Sequence, residues 1–348
     1  MAAMENLHPL RELRNVIRHA RRFALLAGIL AACGHLNAAP PRDVATPGVA
    51  TRDVATPGVA TRDPLVFIAF GDTRFTHPSE TAATDPHVRR ALIDKIAAER
   101  PAALFINGDL TWHGVAEDYA AYLAESRPWR EQHLPVYPAL GNHEFAGCAE
   151  AECLNLWWTA FPELRGQRWY SVPLGDRALA IVLDSDASLL AQSDQRAWLE
   201  QKLAHVDQRV RLILFVMHHP PVVDGLAGPL GDHNVRPNEQ ALADYLAAFA
   251  GRTRARLLVI AGHIHNYERF DQHGIVYLVS GGGGAKPYPV NRTPADLYTN
   301  SEFPNYHYLR FELEGGTLSA QMIRLEPDTI GHGDPWRVAD RFELTLPP

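Results

Sequence analysis

The stretch Ala103-Leu104-Phe105-Ile106-Asn107-Gly108-Asp109-Leu110 decides the fold of this chain. Its first four residues are apolar and lead directly into Asn-Gly-Asp, and Pro101 stands just before the run. A short apolar run bounded by turn residues predicts a buried β-strand. Open α/β sheets bind their ligands beyond the carboxyl ends of their strands, which is where Asp109 lies. We therefore expect Asp109 to be the central residue of a ligand site.

The same pattern, an apolar run that ends in Asp, Asn or His, occurs elsewhere in the chain. One Gly-Asp at a strand end is more often a turn than a ligand site, but the repetition predicts a shared site at which several strand ends meet. The further stretches are VFIAFGD at 66–72, VYPALGNHE at 136–144, LILFVMHH at 212–219 and LLVIAGHIH at 257–265.

Helical patterns lie between these strands. Pro86 opens a predicted helix to Arg100, with Val88, Leu92 and Ile96 as its apolar stripe. The alternation of strand and helix predicts a largely parallel sheet with helical crossovers. Further helices are predicted at 119–131, with an interruption near Pro128, and at 154–161, 194–206 and 238–249; an antiparallel strand pair is predicted at 170–173 and 179–183.

The C-terminal part alternates between apolar and polar residues, as antiparallel strands do. We expect the strands at 306–313, 317–325 and 337–346 to complete a second sheet of the same domain. The glycine run at 281–284 lacks the Gly-Lys-Ser/Thr continuation of a P-loop, so it predicts close approach of backbone segments beside the site.

Length and charge limit the classes of protein to which the chain can belong. With 348 residues, 46% of them hydrophobic, it is long enough for one large domain or two small ones. The formal net charge is −7, and because residues 1–32 hold five Arg and two Glu (+3), the remainder carries −10. An acidic body argues against nucleic acid as a partner. A small phosphorylated substrate remains compatible, because metal ions can supply positive charge.

The three cysteines are Cys33, Cys148 and Cys153. No Cys-x-x-Cys pair is present, so we expect no structural zinc site. Cys148 and Cys153 are five positions apart, which predicts a small disulfide in an oxidising compartment, with two free thiols as the alternative.

The first 32 residues are typical of a signal peptide. A basic region ending at Arg22 precedes an apolar run of about ten residues, too short for a spanning helix of ~20 residues. Leu-Ala-Ala-Cys at 30–33 resembles the lipobox of bacterial lipoproteins, which implies cleavage before Cys33 and a lipid anchor on its thiol. Ordinary cleavage near residues 38–39 is the alternative. We expect an exported protein, a periplasmic or outer-membrane lipoprotein of a bacterium.

A tandem repeat follows. Residues 42–51 read RDVATPGVAT, and residues 52–61 repeat them without change. Two units of this length cannot form a solenoid, and each contains Pro-Gly, which breaks regular structure. We therefore expect residues 33–63 to be a flexible linker and residues 64–348 to form one folded domain that includes the C-terminal strands.

The strand-end motifs, in this order and with these wide spacings, resemble those of the calcineurin-like metallophosphoesterase superfamily over about residues 64–325. The run GHIHNYER at 262–269 is similar to the purple acid phosphatase branch. The resemblance implies an α/β fold in which two mixed β-sheets pack as a sandwich with flanking helices, in four layers. It also implies a binuclear metal-dependent phosphoesterase, which hydrolyses a phosphomonoester or a phosphodiester by attack of a metal-bridging hydroxide.

The resemblance also implies the metal ligands. Asp109 would bridge two ions, and Asp72 and His265 would complete the protein ligands of the first. The ligands implied for the second ion are Asn142, His218 and His263. His218, rather than His219, fits the spacing of the family. Carboxylate, amide and imidazole ligands suit two divalent or trivalent transition-metal ions, Fe, Mn or Zn.

Three further roles follow from the resemblance. His143 would protonate the leaving oxygen or stabilise the phosphoryl charge, and both catalysis and substrate binding are expected of it. Glu144 would orient the loop that carries it. His233 resembles a residue of the loop that contacts the substrate in the purple acid phosphatase branch.

Two positions depart from the family pattern. Arg74 stands where many members have His, and Trp112 stands where purple acid phosphatases have Tyr. The first ion therefore lacks a fourth protein ligand, unless His77 or His113 supplies it. We expect Arg74 to act at the catalytic site by binding the substrate phosphate, which guanidinium matches bidentately; a surface salt bridge is the alternative.

The weakened first metal position keeps a second hypothesis open. On this hypothesis the chain is a catalytically weak or inactive binding protein on the same fold. A serine esterase is disfavoured, because the sequence contains no Gly-x-Ser-x-Gly nucleophile elbow.

Overall fold

The computed structural model describes residues 64–226 and 233–348. The predicted signal peptide at 1–32 and the predicted linker at 33–63, with Cys33, lie outside the described residues, and both stay predictions. Within the described ranges, no helix combines the length and the apolar character that crossing a membrane requires.

Strands and helices alternate through most of the described chain. The strands are β1 (Leu65–Phe70), β2 (Ala103–Ile106), β3 (Val136–Pro138), β4 (Tyr170–Leu174), β5 (Ala178–Val182), β6 (Leu212–Val216), β7 (Arg256–Ala261), β8 (Tyr267–Gln272), β9 (Ile275–Ser280), β10 (Tyr306–Glu314), β11 (Thr317–Leu325) and β12 (Trp336–Thr345). The α-helices are α1 (Pro86–Glu99), α2 (Ala116–Glu125), α3 (Arg127–Glu131), α4 (Glu150–Ala160), α5 (Asp194–Ala204) and α6 (Pro237–Ala250).

Two mixed six-stranded sheets form the body, as predicted. The strand order is β12-β11-β10-β1-β2-β3 in the first sheet and β4-β5-β6-β7-β9-β8 in the second. β1, β2 and β3 are parallel to one another, and so are β5, β6, β7 and β9. Because parallel neighbours end at the same edge of a sheet, their carboxyl ends lie together.

The C-terminal strands are antiparallel, as predicted, but their assignment to a second sheet is wrong. β10 pairs with β1, so these strands extend the first sheet. Phe311 lies opposite Phe67 in this pair, and their rings stack with centroids 4.9 Å apart. Alternation along a strand predicts which face is buried, but it does not indicate which neighbour the strand pairs with.

The core lies between the sheets and beneath the flanking helices. In β5 the side chains of Ala178, Ala180 and Val182 belong to a cluster that includes residues of both sheets. Leu179 and Ile181, which alternate with them, pack with apolar residues of α5 and α6 on the other face. The parallel strands of the sheets are thus buried on both faces, which explains their nearly continuous apolar runs.

Helix α1 begins and ends with local signals that are visible in the sequence. The Asp85 side chain accepts hydrogen bonds from the backbone N–H of His87 and Val88, and Pro86 occupies the first turn. The helix is followed by Arg100, whose φ of 48° lies in the left-handed region. The predicted helix at 119–131 is divided between α2 and α3 at Ser126.

A buried ion pair joins α1 to α2 next to the loop after β1. Arg89 Nη2 donates to Glu125 Oε1 at 2.7 Å and Arg89 Nε donates to Glu125 Oε2 at 3.0 Å. A third nitrogen, Nη1, donates to the Arg74 carbonyl at 3.3 Å. The helices therefore hold the backbone of the loop that carries Asp72 and Arg74.

The predicted disulfide between Cys148 and Cys153 is confirmed. It joins the loop before α4 to the first turn of that helix. Helix α4 begins at Glu150, four residues before its predicted start. The Cys148 sulfur also lies 3.1 Å from the Gly114 carbonyl, so the bridge is fixed against the loop that follows β2.

Candidate metal centre

The strand ends singled out in the sequence meet at one place, and the six predicted metal ligands lie side by side there. Asp72 follows β1, Asp109 follows β2, and Asn142 follows β3, all in the first sheet. His218 follows β6 and His263 follows β7, both in the second sheet. The closest contacts are Asp72 Oδ1 to His265 Nε2 at 3.4 Å, Asp109 Oδ1 to His218 Nε2 at 3.1 Å, His218 Nε2 to Asn142 Oδ1 at 3.1 Å, and the His263 N–H to Asp72 Oδ2 at 3.0 Å.

Asp72, Asp109 and His265 form the first group of candidate ligands, and all three are buried. Asp72 Oδ1 and His265 Nε2 face each other, and neither atom has a hydrogen-bond partner among the described residues. Buried polar atoms are nearly always paired, so two facing atoms without partners fit a cation between them. The Nδ1 of His265 donates to the Lys286 carbonyl at 2.6 Å, which leaves the Nε2 lone pair for an ion.

Histidine rings and two side-chain oxygens surround the second position. His218 donates from Nδ1 to the Asn107 carbonyl at 3.1 Å, and its Nε2 faces one oxygen of Asp109 and one of Asn142. Ring nitrogens of His218, His219 and His263 lie within 4.8 Å of one another. The sequence did not predict His219 at this position. The family's His-x-Pro spacing identifies only His218, the first histidine of the pair, as a metal ligand.

Asp109 lies between the two positions. Its Oδ1 accepts a hydrogen bond from the His143 N–H at 3.1 Å, and its Oδ2 accepts from Arg74 Nη2 at 3.1 Å. Burial opposes ionisation of this carboxyl, but His218, His143 and Arg74 outweigh it and hold the pKa of Asp109 well below its usual range. Asp109 is therefore a carboxylate, as a bridging ligand must be.

Asp72 is in the opposite electrostatic situation. Burial, helped by the charge of Asp109 and opposed by His218 and Arg74, raises the pKa of Asp72 to about 7. The nearby positive charge therefore offsets the cost of burying Asp109 as a carboxylate, but it does not offset the same cost for Asp72. A bound cation would reverse the shift, because metal charge dominates local pKa values.

The backbone is strained at the residues that form the site. Asp72, Arg74, Asp109 and His263 have φ values of 60°, 46°, 49° and 71°, in the left-handed region that few residues other than Gly adopt. They are four of the seven such residues in the part of the chain that the structure describes. Strain of this kind persists only where surrounding contacts enforce it, and it concentrates at functional sites.

Glycines let the strand ends approach closely. A Cβ on Gly281, in the predicted glycine run, would lie 2.7 Å from Asp72 Oδ2, and a Cβ on Gly262 would lie 2.6 Å from the same oxygen. A Cβ on Gly141 would lie 2.5 Å from Asp109 Oδ1. Within the run, a Cβ on Gly281 would lie 2.1 Å from the Ile264 carbonyl and a Cβ on Gly283 would lie 2.3 Å from the Gly71 carbonyl, which confirms that the run at 281–284 allows close backbone approach.

Glu144 is buried beneath Asp109, and its contacts agree with the predicted role of orienting the loop. Its Oε2 accepts the N–H of Gly141 at 2.7 Å and the N–H of Asp109 at 3.1 Å. Its Oε1 accepts the N–H of Thr111 at 3.0 Å. One carboxyl group thus joins the loops that follow β2 and β3.

Arg74 lies inside the site, so the alternative of a surface salt bridge is wrong. Its side chain is 10% exposed, and its guanidinium lies over the Trp112 ring, 5.0 Å from the centroid. The same indole stacks on His143, with ring centroids 4.6 Å apart, and the Trp112 carbonyl accepts from His143 Nδ1 at 2.7 Å. Trp112 therefore contacts both side chains that are expected to act on the phosphate.

The remaining histidines are placed differently. His77 is exposed and contacts Ser79, and His113 pairs with Asp118 at 3.6 Å, so neither belongs to the two ligand groups. The ring of His233 lies 4.7 Å from that of His263, beside the second position.

Tyr288 is a residue of the site that the sequence did not predict. Its ring stacks on His265 with centroids 4.1 Å apart, and it also contacts the ring of His233. Tyr288 belongs to none of the strand-end motifs. It follows the glycine run in the chain, and only the folding of the chain brings it next to His265.

Comparisons with known proteins agree with this geometry. A sequence profile of the family described as calcineurin-like phosphoesterase matches residues 66–267. The fold is similar to that of a purple acid phosphatase, PPD1, from seeds of yellow lupin (Lupinus luteus), with 18% identity and a TM-score of 0.64. That alignment covers 81% of this chain and 54% of the lupin chain, so the chain spans about half of its length.

Two further folds are similar. A dimetal phosphatase from Danio rerio has 15% identity and a TM-score of 0.57, covering 82% of this chain and 100% of the other. GAP50, the anchor in the inner membrane complex of Plasmodium, has 15% identity and a TM-score of 0.55, covering 82% and 90%. At these identities the likeness shows the fold alone.

We predict that the stability of the folded protein depends on pH through His307, which lies next to the site. It is fully buried against Gly282, donates from Nδ1 to the Asn305 carbonyl and contacts Ser280 Oγ with Nε2 at 3.0 Å. Burial lowers the pKa of His307 to about 4 from an ordinary 6.5. The unfolded chain therefore binds the proton first, and stability falls as the pH drops from 6.5 to 4.

We expect His307→Gln, which cannot titrate, to show a shallower loss of stability over this range. The slopes of the free energy of unfolding against pH should differ by up to about 1.4 kcal/mol per pH unit, which corresponds to one proton. Urea unfolding of both metal-free proteins at several pH values measures it. Parallel curves for the two proteins would show that His307 is not the titrating group.

Proposed function

The chain belongs to the calcineurin-like phosphoesterase family, and from this premise we propose that it is a binuclear metal-dependent phosphoesterase acting on a small phosphomonoester or phosphodiester. The observation that carries the proposal is that Asp72 Oδ1 and His265 Nε2 face each other at 3.4 Å, beside the buried carboxylate of Asp109, and that neither has a hydrogen bond to any residue the structure describes. This is an arrangement of ligands that a cation completes.

The donor atoms suit two transition-metal ions. Asp72, Asp109 and His265 would hold the first ion, and Asp109 would be shared with the second. The second ion's further ligands would be Asn142, His218 and His263. Fe, Mn or Zn in the divalent or trivalent state fits carboxylate, amide and imidazole donors. When bound, two such ions polarise phosphoryl oxygens and lower the pKa of water enough to provide a nucleophile at neutral pH.

His143 is placed to handle the proton of the leaving group. Its Nδ1 is committed to the Trp112 carbonyl, so Nε2 carries a proton only when the ring is cationic. Nε2 points to Asp109 Oδ2 at 3.8 Å, towards the site. In the imidazolium form, His143 would donate the Nε2 proton to the leaving oxygen and return to the neutral form.

Arg74 is placed to bind a phosphoryl oxygen. Only Nη2 contacts Asp109, and the buried Nε has no hydrogen-bond partner among the described residues. Guanidinium presents its N–H groups in a planar fork that matches two phosphate oxygens. The Trp112 ring holds the fork in place from one side.

A binding protein on the same fold is the second candidate function. Arg74 favours it, because its guanidinium already supplies positive charge to Asp109. GAP50, whose fold is similar, is described as an anchor. Metal content of the purified protein, paired with hydrolysis of an aryl phosphate and a bis-aryl phosphodiester, separates the two candidates. No bound metal and no turnover with added Mn, Zn or Fe would favour the binding protein.

We also propose that the protein is exported and anchored to a bacterial membrane by a lipid on Cys33. The Leu-Ala-Ala-Cys sequence at 30–33 supports the anchor. The disulfide between Cys148 and Cys153 supports an oxidising compartment such as the periplasm.

Asp109→Asn is expected to lower turnover of the aryl phosphate by at least about 100-fold. Loss of a residue that only hydrogen-bonds to a metal ligand typically lowers metal affinity or activity about 10–100-fold, and loss of a ligand itself should lower activity more. The variant should remain folded by circular dichroism and should bind less metal. Asp207→Asn, on the surface, is the matched control and should behave as the wild type. Undiminished turnover in Asp109→Asn would remove the bridging role.

Arg74→Ala is expected to raise the Michaelis constant about 10–100-fold, since a hydrogen bond to a charged group is worth roughly 1.5–3 kcal/mol. Arg74→Lys should recover only part of the loss, because it keeps the charge without the fork. Metal content is measured in parallel, with exposed Arg209→Ala as the control. A normal Michaelis constant with reduced metal content would instead make Arg74 a support for Asp109.

Cys33→Ser is expected to abolish incorporation of labelled fatty acid in bacterial cells and to release the protein from the membrane fraction. Cys148→Ser breaks the disulfide but leaves Cys33, so it should retain the label. Labelling of Cys33→Ser, or unlabelled wild type, would rule out the lipid anchor and favour ordinary cleavage near residues 38–39.

A further inference from the structure

His219 is a buried histidine for which the family-based ligand set has no role. Its ring lies 4.8 Å from that of His218 and 4.4 Å from that of His263, and the latter two rings are 5.1 Å apart. Imidazoles at neighbouring positions around one ion, each with its nitrogen about 2.1 Å from the ion, have ring centres roughly 4.5–5 Å apart. The three rings therefore have the spacing of imidazoles around a common ion.

The orientation of the His219 ring is fixed from behind. Its Nδ1 lies 2.8 Å from Ser185 Oγ, which also accepts the backbone N–H of His219 at 3.0 Å. A hydroxyl oxygen has two lone pairs and can accept both bonds, which leaves Nε2 of His219 as the free lone-pair donor. Histidine ligands typically have their second nitrogen held in this way.

Ser185 is itself held in place by helix α6 and the residue that precedes it. Its carbonyl accepts from Arg236 Nη2 at 2.7 Å and from Asn238 Nδ2 at 3.1 Å. Ser185 follows β5, a neighbour of β6 in the second sheet. The support for His219 thus comes from a strand end that carries none of the predicted ligands.

The two ligand groups differ in chemistry. Asp72, Asp109 and His265 offer two carboxylates and one imidazole, whereas the second position has three imidazoles beside one oxygen of Asp109 and one of Asn142. Imidazole donors suit zinc, and carboxylate donors suit manganese.

We propose that His219 is a third imidazole ligand of the second metal position and that it makes this position selective for zinc over manganese. The proposal rests on the proposed function in so far as that function places an ion there. It adds a ligand that supplements, and does not replace, His218 and His263.

The experiment titrates the metal-free full-length protein with Zn²⁺ alone and with Mn²⁺ alone by calorimetry. In His219→Ala, zinc affinity at one site should fall at least 10–100-fold, while manganese affinity changes less than about threefold. Ser185→Ala should lose up to about tenfold in zinc affinity, because only the support of the ring is removed. His205→Ala is the matched control, since that histidine is exposed and its Nδ1 lies 2.8 Å from the Gln201 carbonyl.

A measurement on the wild type keeps the proposal testable if His219→Ala fails to fold. X-ray absorption of the protein with one equivalent of zinc should show three imidazoles per ion. Two imidazoles, or a folded His219→Ala with unchanged zinc affinity, overturns the proposal. If that variant binds zinc normally but binds inorganic phosphate more weakly, His219 contacts the substrate instead. A wild type that binds no metal at all contradicts the proposed function itself, which is a different outcome.

Discussion

The buried carboxylate of Asp109 is the group on which the rest of the site depends. Removing a carboxylate from water is costly unless charged and hydrogen-bonding partners replace the solvent. Arg74 and His143 approach one oxygen, and His218 approaches the other. These partners follow β1, β3 and β6, so strand ends from both sheets converge on a single group. The contacts that stabilise the fold around Asp109 are therefore also the contacts that determine the chemistry of the site.

That convergence explains the local backbone. Asp109 adopts a φ of 49°, and Gly108 before it adopts 87°, where a Cβ would lie 2.4 Å from His218. Glu144 accepts the Asp109 N–H and is itself fully buried, and burial together with the charge of Asp109 raises its pKa well above the ordinary value. Strain and stacked carboxyl groups are unfavourable for folding alone. Their concentration here indicates that the arrangement is kept for binding.

Most of the fold could be predicted because its signals are local. Apolar runs ending in Gly-Asp or Gly-His mark strand ends, and the four-residue spacing of Val88 and Leu92 marks a helix face. The pairing of β10 with β1 could not be predicted, since it depends on packing such as that of Phe67 on Phe311. Tyr288 was missed for the same reason, since it reaches the site through contacts between distant segments. His219 was set aside because the family spacing selects His218, and only the fold shows how close its ring lies to that of His263.

The balance of charge bears on whether Arg74 replaces an ion or works beside one. Its guanidinium contacts Asp109 Oδ2, and the pKa of Asp109 is lowered accordingly. Asp72 keeps a pKa raised to about 7 by burial, and its Oδ1 still faces His265 Nε2 without a hydrogen-bond partner among the described residues. If the Arg74 guanidinium replaced the ion, it would compensate the charges of both Asp72 and Asp109, and His265 Nε2 would have a hydrogen-bond partner. The site is therefore better suited to a cation beside the guanidinium than to a guanidinium in place of the cation, which fits the metal-dependent phosphoesterase family to which the chain belongs.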